Sequence, residues 1–297
     1  MNPSSIRVDP PLRPEFEYPV SALAPAANAD LVRAPRSLLQ RWLHHDGFRK
    51  VLILVVLAFT WEMAGRWQDN ELLLPTFSAT MSAMWTDLAN GQLPARMVTS
   101  LSVLLQGYVL GVVLAFFLTT FAISTRLGRD VLSTLTSMFN PLPAIALLPL
   151  ALMWFGLGTA SLLFVLIHSV MWPLALNTFS GFQSVPQTLR MAGQNYGLRG
   201  LPFVWAILIP AALPSIVSGL KVGWAFAWRT LIAAEMVFGA SSGQGGLGWY
   251  IFQHRNELET AQVFAGLVMV VLLGLLVENL VFRTVERLTV RRWGTQQ

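Results

Sequence analysis

Residues 196–216 read YGLRGLPFVWAILIPAALPSI. The stretch is apolar enough to enter a membrane, yet it holds Gly197, Arg199, Gly200, Pro202, Pro210 and Pro214. Proline removes a backbone donor and glycine carries little helix propensity, so their crowding into so hydrophobic a region requires a physical reason. That reason depends on what flanks the stretch.

The flanks are apolar throughout. Of 297 residues, 54% are hydrophobic and 12% charged, and the mean hydropathy is +0.56. A soluble domain carries about 25% charged residues, so about half of the usual polar surface is missing and lipid takes the place of water. The net charge of +5 does not point to nucleic acid. The basic residues punctuate the apolar runs, as topology signals do, and do not gather on one periodic face. With no cysteine there is no disulfide framework, thiolate metal site or cysteine nucleophile.

Residues 1–45 are rich in Pro and Ala and keep no period, which predicts a disordered tail ending in a short interfacial helix at 38–45. Their polarity argues against a cleavable signal. Crossing a bilayer takes roughly 20 residues. Six segments meet that length: 51–67, 97–123, 132–155, 161–182, 211–237 and 261–285. The expected fold is therefore all-α and polytopic, with a transmembrane domain over 46–290. The third segment contains Pro141, Pro143 and Pro149, which predicts a short helix to Asn140, a break and a second helix. With the N-terminus inside, 15 Lys and Arg fall on the cytoplasmic side and three (Arg66, Arg96, Arg255) outside. This asymmetry predicts both termini in the cytoplasm.

The opening stretch then belongs to a cytoplasmic link, 183–210, too long for a simple turn. Pro202 and the pair Gly197 and Gly200 predict two short helices with a bend between them. An apolar elbow of this kind suits docking by a partner protein.

Here a resemblance enters. MAGQNYGLRGLPFVWAILIP (191–210) resembles the cytoplasmic loop of ABC importer permeases, with its Glu-Ala-Ala, three residues, Gly, nine residues, Ile, one residue, Leu-Pro. Ala192, Gly197, Ile207 and Pro210 match. Met191 stands in place of Glu, Gly193 in place of the second Ala, and Ile209 in place of Leu. NPLPAIALLPLALMWFGLG (140–158), AALPSIVSGLKVGWAFAWRTLIAAEM (211–236) and GLGWYI (246–251) are similar to the nitrate/sulfonate/taurine group of these permeases. The likeness runs over 97–287. It implies a multi-pass subunit of a bacterial inner membrane that performs no chemistry and needs no cofactor. Two copies would form a pathway, two cytoplasmic ATPase subunits would drive it, and a periplasmic solute-binding protein would deliver a small anion. The elbow would be the lever, bent at Gly197 and seated by Pro210 against the fifth span.

Other candidates weigh less. GQGGLG (243–248) matches a dinucleotide fingerprint in letters only, since a span and not a strand precedes it; an outer turn before a short helix fits better. No P-loop occurs, so the energy must come from a partner or an ion gradient. Arg229 and Glu235 fall within the fifth span, where charges face a bundle interior or water. At 100° per residue they do not share a face. Arg229 is the better candidate for an anion pathway, Glu235 the weaker. Lys221 is expected in an ion pair or snorkelling, and Glu62 and Glu278 in hydrogen bonds or at the interface. His44, His45, His168 and His254 have no metal-ligand spacing and read as structural or solvated. The alternative function is a stand-alone secondary transporter or channel, which predicts paired broken spans; only the third is broken by proline.

Overall fold

A computed structural model describes residues 46–238 and 245–289. The tail expected at 1–45 and the helix expected at 38–45 lie outside the described residues. All regular structure within them is helical. The chain divides into two units, Met1–Leu57 and Ala58–Gln297. Of the first, the described part is the start of helix α1 (Asp46–Gln68), whose apolar side chains from Val51 to Leu57 are exposed.

The second unit continues with α2 (Phe77–Ala89), α3 (Gln92–Ser124), α4 (Arg126–Phe139), α5 (Leu148–Phe155) and α6 (Thr159–Gln183). There follow α7 (Gln187–Asn195), α8 (Leu201–Val237), α9 (Leu247–Asn256) and α10 (Thr260–Leu288). Four of these, α3, α6, α8 and α10, are long and apolar enough to cross a membrane. The short α2 was not expected. Its N-terminus is built by Thr76 Oγ1, which accepts from Ala79 N at 3.2 Å, and by Glu62, which accepts from Ser78 N at 2.9 Å. Glu62 also pairs with Arg66 at 2.7 Å, so it is the hydrogen-bonded carboxylate foreseen.

Helix α6 is the centre of the unit, and glycines decide how its neighbours meet it. A Cβ added to Gly107 or Gly111 of α3 would stand 2.6 or 2.7 Å from the Cβ of Leu166 or Val170 of α6. On the opposite flank a Cβ on Gly219 of α8 would stand 2.9 Å from Cβ of Asn177. In lipid, where apolar side chains gain nothing by leaving solvent, such close backbone approach is what holds helices together. Leu166 and Val170 are consequently 1% and 0% exposed.

The third expected span is broken as predicted. Pro141 and Pro143 lack N–H donors, and the chain turns by 89° between α4 and a 3-10 turn (Ala144–Leu147) that leads into α5. Pro149 causes no break, because it sits in the first turn of α5 where its missing donor is not needed. Ser161 Oγ closes the far end, donating within 2.6 Å of Gly156 O and 3.0 Å of Ala151 O.

The fifth span needs correction. It starts at Leu201 and not at 211, so the second short helix of the expected elbow is the first part of α8 itself. Pro202 starts this helix instead of interrupting it. Pro210 and Pro214 lie within it. The donor lost at Pro210 is accommodated by a π turn, Val204–Leu208, in which Ile209 N reaches Val204 O. Pro210 therefore seats nothing against the fifth span; it belongs to it.

Gly111→Val should lower the thermal unfolding midpoint of the purified protein by the equivalent of about 1–3 kcal/mol, the usual effect of overpacking. Gly47→Ala, whose added Cβ meets nothing within 4 Å, should not lower the midpoint.

Candidate functional site

Two places in the fold gather the residues singled out by sequence. The first is the link between α6 and α8. Helix α7 ends in a backbone motif that requires glycine: Gly197, at φ +77°, donates to Gln194 O at 2.9 Å and Leu198 donates to Gly193 O at 3.1 Å. These two bonds satisfy the last carbonyls of the helix and reverse the chain. Gly200, at φ +60°, then sets the entry to α8.

Gly193 is buried, and a Cβ there would stand 2.8 Å from Cγ1 of Ile207. The absence of that Cβ lets α7 lie on the π turn of α8, whose other side joins an apolar cluster of Phe182, Val185, Val204, Leu208 and Ala212 with Ile209 at its edge. Arg190 donates to Phe182 O and to Val185 O, fastening α7 to the C-terminal end of α6, where a cation is favoured. Met191, Ala192 and Tyr196 face outward, Tyr196 with 88% of its surface exposed.

The second place is a cavity of about 400 Å³ between the bend of the broken span, α6 and α8. Its walls include 139–145 from the bend, His168, Ser169 and Trp172 from α6, and Phe226, Arg229 and Thr230 from α8. Arg229 is exposed, its Nε donating to Ala225 O at 3.1 Å and its guanidinium 5.4 Å from the Phe226 ring centroid. Among the described residues no carboxylate pairs with it.

Residues 107–292 match the family described as binding-protein-dependent transport system inner membrane component. The chain belongs to this family. Its relatives include the protein named as the aliphatic sulfonates transport permease SsuC of Escherichia coli, 29% identical over 75% of this chain and 84% of that one. The nitrate import permease protein NrtB of Synechocystis is 25% identical over 78% of this chain and 86% of that one. The taurine transport system permease protein TauC of Escherichia coli is 31% identical over 50% and 53%. The chain is an ABC importer permease of the nitrate/sulfonate/taurine group.

In this permease Arg229 and Glu235, expected on different faces, have different surroundings. Glu235 does not line the cavity. It is 5% exposed and fastens α8 to α3 and to the start of α9. Ser100 Oγ lies 2.8 Å from both of its carboxylate oxygens, Gly248 N donates to Oε2 at 2.8 Å, and Ser100 Oγ accepts from Leu247 N at 2.8 Å. A carboxylate at a helix N-terminus also meets the positive end of the helix dipole. A Cβ on Gly248 would stand 2.3 Å from Ile232 O, so this glycine of GQGGLG serves close packing. Gly243 and Gln244 lie outside the described residues.

Lys221 is likewise structural, pairing with Glu286 of α10 at 2.9 Å. Sequence reasoning missed His168, Trp172 and Phe139 as cavity walls, since an aromatic in a span reads as packing. It also missed a cluster at the end of α9. His254 Nδ1 lies 2.6 Å from Glu259 and 3.5 Å from Glu257, donor atoms of a kind and closeness that suit a metal ion. The spacing hides this because Leu258, at φ +60°, turns the chain back on itself. Nearby, Tyr250 OH donates to Asp87 at 2.5 Å, and burial together with that carboxylate pushes the phenol well above its ordinary range.

Ser100→Ala removes the bridge between Glu235 and Leu247 N and leaves buried groups unpaired. It should destabilise the permease by about 2 kcal/mol in thermal unfolding, and amide exchange at Leu247 and Gly248 should quicken.

Proposed function

We propose that this permease forms the translocation pathway for a small anion, such as a sulfonate, taurine, nitrate or a carboxylate, by alternating access. The reading has six crossings, with α1 and the α4–α5 pair each counted as one, and both termini in the cytoplasm. Two copies enclose the pathway, two ATPase subunits bind from the cytoplasm, and a solute-binding protein delivers from outside. The names of the relatives support the solute class.

The observation that carries the mechanism is the seating of α7. A helix pushed by a motor transmits motion only if it does not slide on what it pushes. Buried Gly193 against Ile207, and Arg190 against the end of α6, join α7 to both neighbours at once. The outward face at Met191, Ala192 and Tyr196 is left for the motor, with Ile207, Ile209 and Pro210 behind it in α8. The Met in place of Glu at 191 makes that contact apolar, so its grip relies on burial and not on an ion pair. Arg229, unpaired beside the cavity, favours anions along the path.

Gly197→Val forces a β-branched residue to positive φ, at a cost of roughly 1–2 kcal/mol, and displaces the end of α7. In proteoliposomes containing the ATPase and delivery protein, uptake should fall at least about tenfold while the amount of inserted permease stays the same. Wild-type uptake by this variant would count against the lever. Solute movement at full rate with no ATPase present would count against the importer reading altogether.

A further inference from the structure

The walls of the cavity carry information about the shape of the solute. Phe139 and Trp172 stack on each other, 14° apart with ring centroids at 5.2 Å, and build one aromatic side of the cavity. His168 meets Phe139 edge-on at 6.0 Å. Arg229 lies on the α8 wall, with Thr230 beside it and Phe226 beneath the guanidinium. The cavity thus pairs an aromatic wall with one cation.

Two buried groups in the wall are unsatisfied. His168, 9% exposed, has neither ring nitrogen hydrogen-bonded, and Trp172, 5% exposed, has an unpaired indole N–H. A buried donor without a partner costs about 1–3 kcal/mol; these nitrogens are closed off from the cavity, so the cost bears on the wall itself and not on its occupant. The size agrees with an organic occupant: about 400 Å³ falls within the range of organic ligand sites, and an ion of four atoms such as nitrate would leave most of it empty.

We propose that this cavity holds an organic anion with a flat apolar body, an aryl sulfonate or aryl carboxylate. Its charged head meets Arg229 and its ring lies along Phe139 and Trp172. The inference rests on reading the chain as the pathway of an importer and narrows the solute within that reading. The charged head is attracted by a guanidinium that has no carboxylate partner among the described residues. The ring gains offset or edge contacts with the aromatic wall, worth roughly 0.5–1.5 kcal/mol beyond burial. A head without a ring gains only the first of these.

The test is calorimetric titration of the full-length permease in lipid nanodiscs, at constant ionic strength, with benzenesulfonate, methanesulfonate and sodium nitrate. Benzenesulfonate should bind at least about tenfold more tightly than either of the others. Any smaller ratio, or no binding of benzenesulfonate, overturns the proposal. Arg229→Gln should weaken benzenesulfonate at least about tenfold, and its exposed site makes the fold tolerant of the change, which the thermal midpoint verifies. Trp172→Leu should reduce the preference for benzenesulfonate over methanesulfonate, whereas a preference unchanged in that variant would remove the aromatic wall from the proposal. ATP-dependent uptake by the reconstituted importer is measured alongside. Uptake that needs ATP together with a failed titration leaves the importer reading standing and removes only the aryl anion; uptake without the ATPase removes the reading itself.

Discussion

The close approach of α3 and α8 to α6 is the constraint from which the rest of this structure follows. Neither flank could reach α6 if Gly107, Gly111 or Gly219 carried a side chain. Once the three backbones are this near, their remaining side chains interdigitate, and Leu104, Leu166, Val170, Ala227 and Leu231 become almost wholly buried. The polar groups nearby are then placed as well. Tyr108 OH reaches Leu220 O at 2.9 Å across the α3–α8 gap, a bond that a wider separation would leave unmade in lipid.

Everything attached to the three-helix centre inherits its position from it. Helix α7 is tied to the ends of α6 and α8, and α5 packs through Leu148 and Ala151 against Val165 and Ala234. Because α5 is tied down while residues 140–143 of the bend are not part of a helix, a cavity remains between bend and bundle. Under the proposed function the same geometry connects motor and pathway: α8 carries Ile207 at one end and Arg229 along its length. A displacement of α7 is then a displacement of the cation beside the cavity.

Two charges on α8 show how the fold sorts residues that look alike in sequence. Glu235 is placed where backbone donors at the start of α9 and the hydroxyl of Ser100 surround it, which offsets the cost of removing a carboxylate from water. Arg229 has a carbonyl, an aromatic face and open space. A charge fully paired inside the protein holds elements together, and a charge left without a counter-ion beside a cavity acts on whatever enters.

Much of this was legible in the residues. Apolar runs of bilayer length, prolines at 141 and 143, the spacing around Gly197 and the separation of Arg229 from Glu235 by helical angle all depend on local rules, and local rules are written in sequence. The continuity of α8 through Pro202, Pro210 and Pro214 was not legible, because a π turn and tertiary packing absorbed losses that a single helix would show as breaks. The walls of the cavity and the partners of Glu235 were not legible either. Ser100 and Gly248 lie 135 and 13 residues from Glu235, and the meeting of Phe139, Trp172 and Arg229 exists only after three elements have packed. Sequence by itself determined that the chain is a helical membrane protein with a glycine-ended link. Tertiary structure alone decided which charge is buried and which is open, since burial is a property of what surrounds a residue and not of the residue.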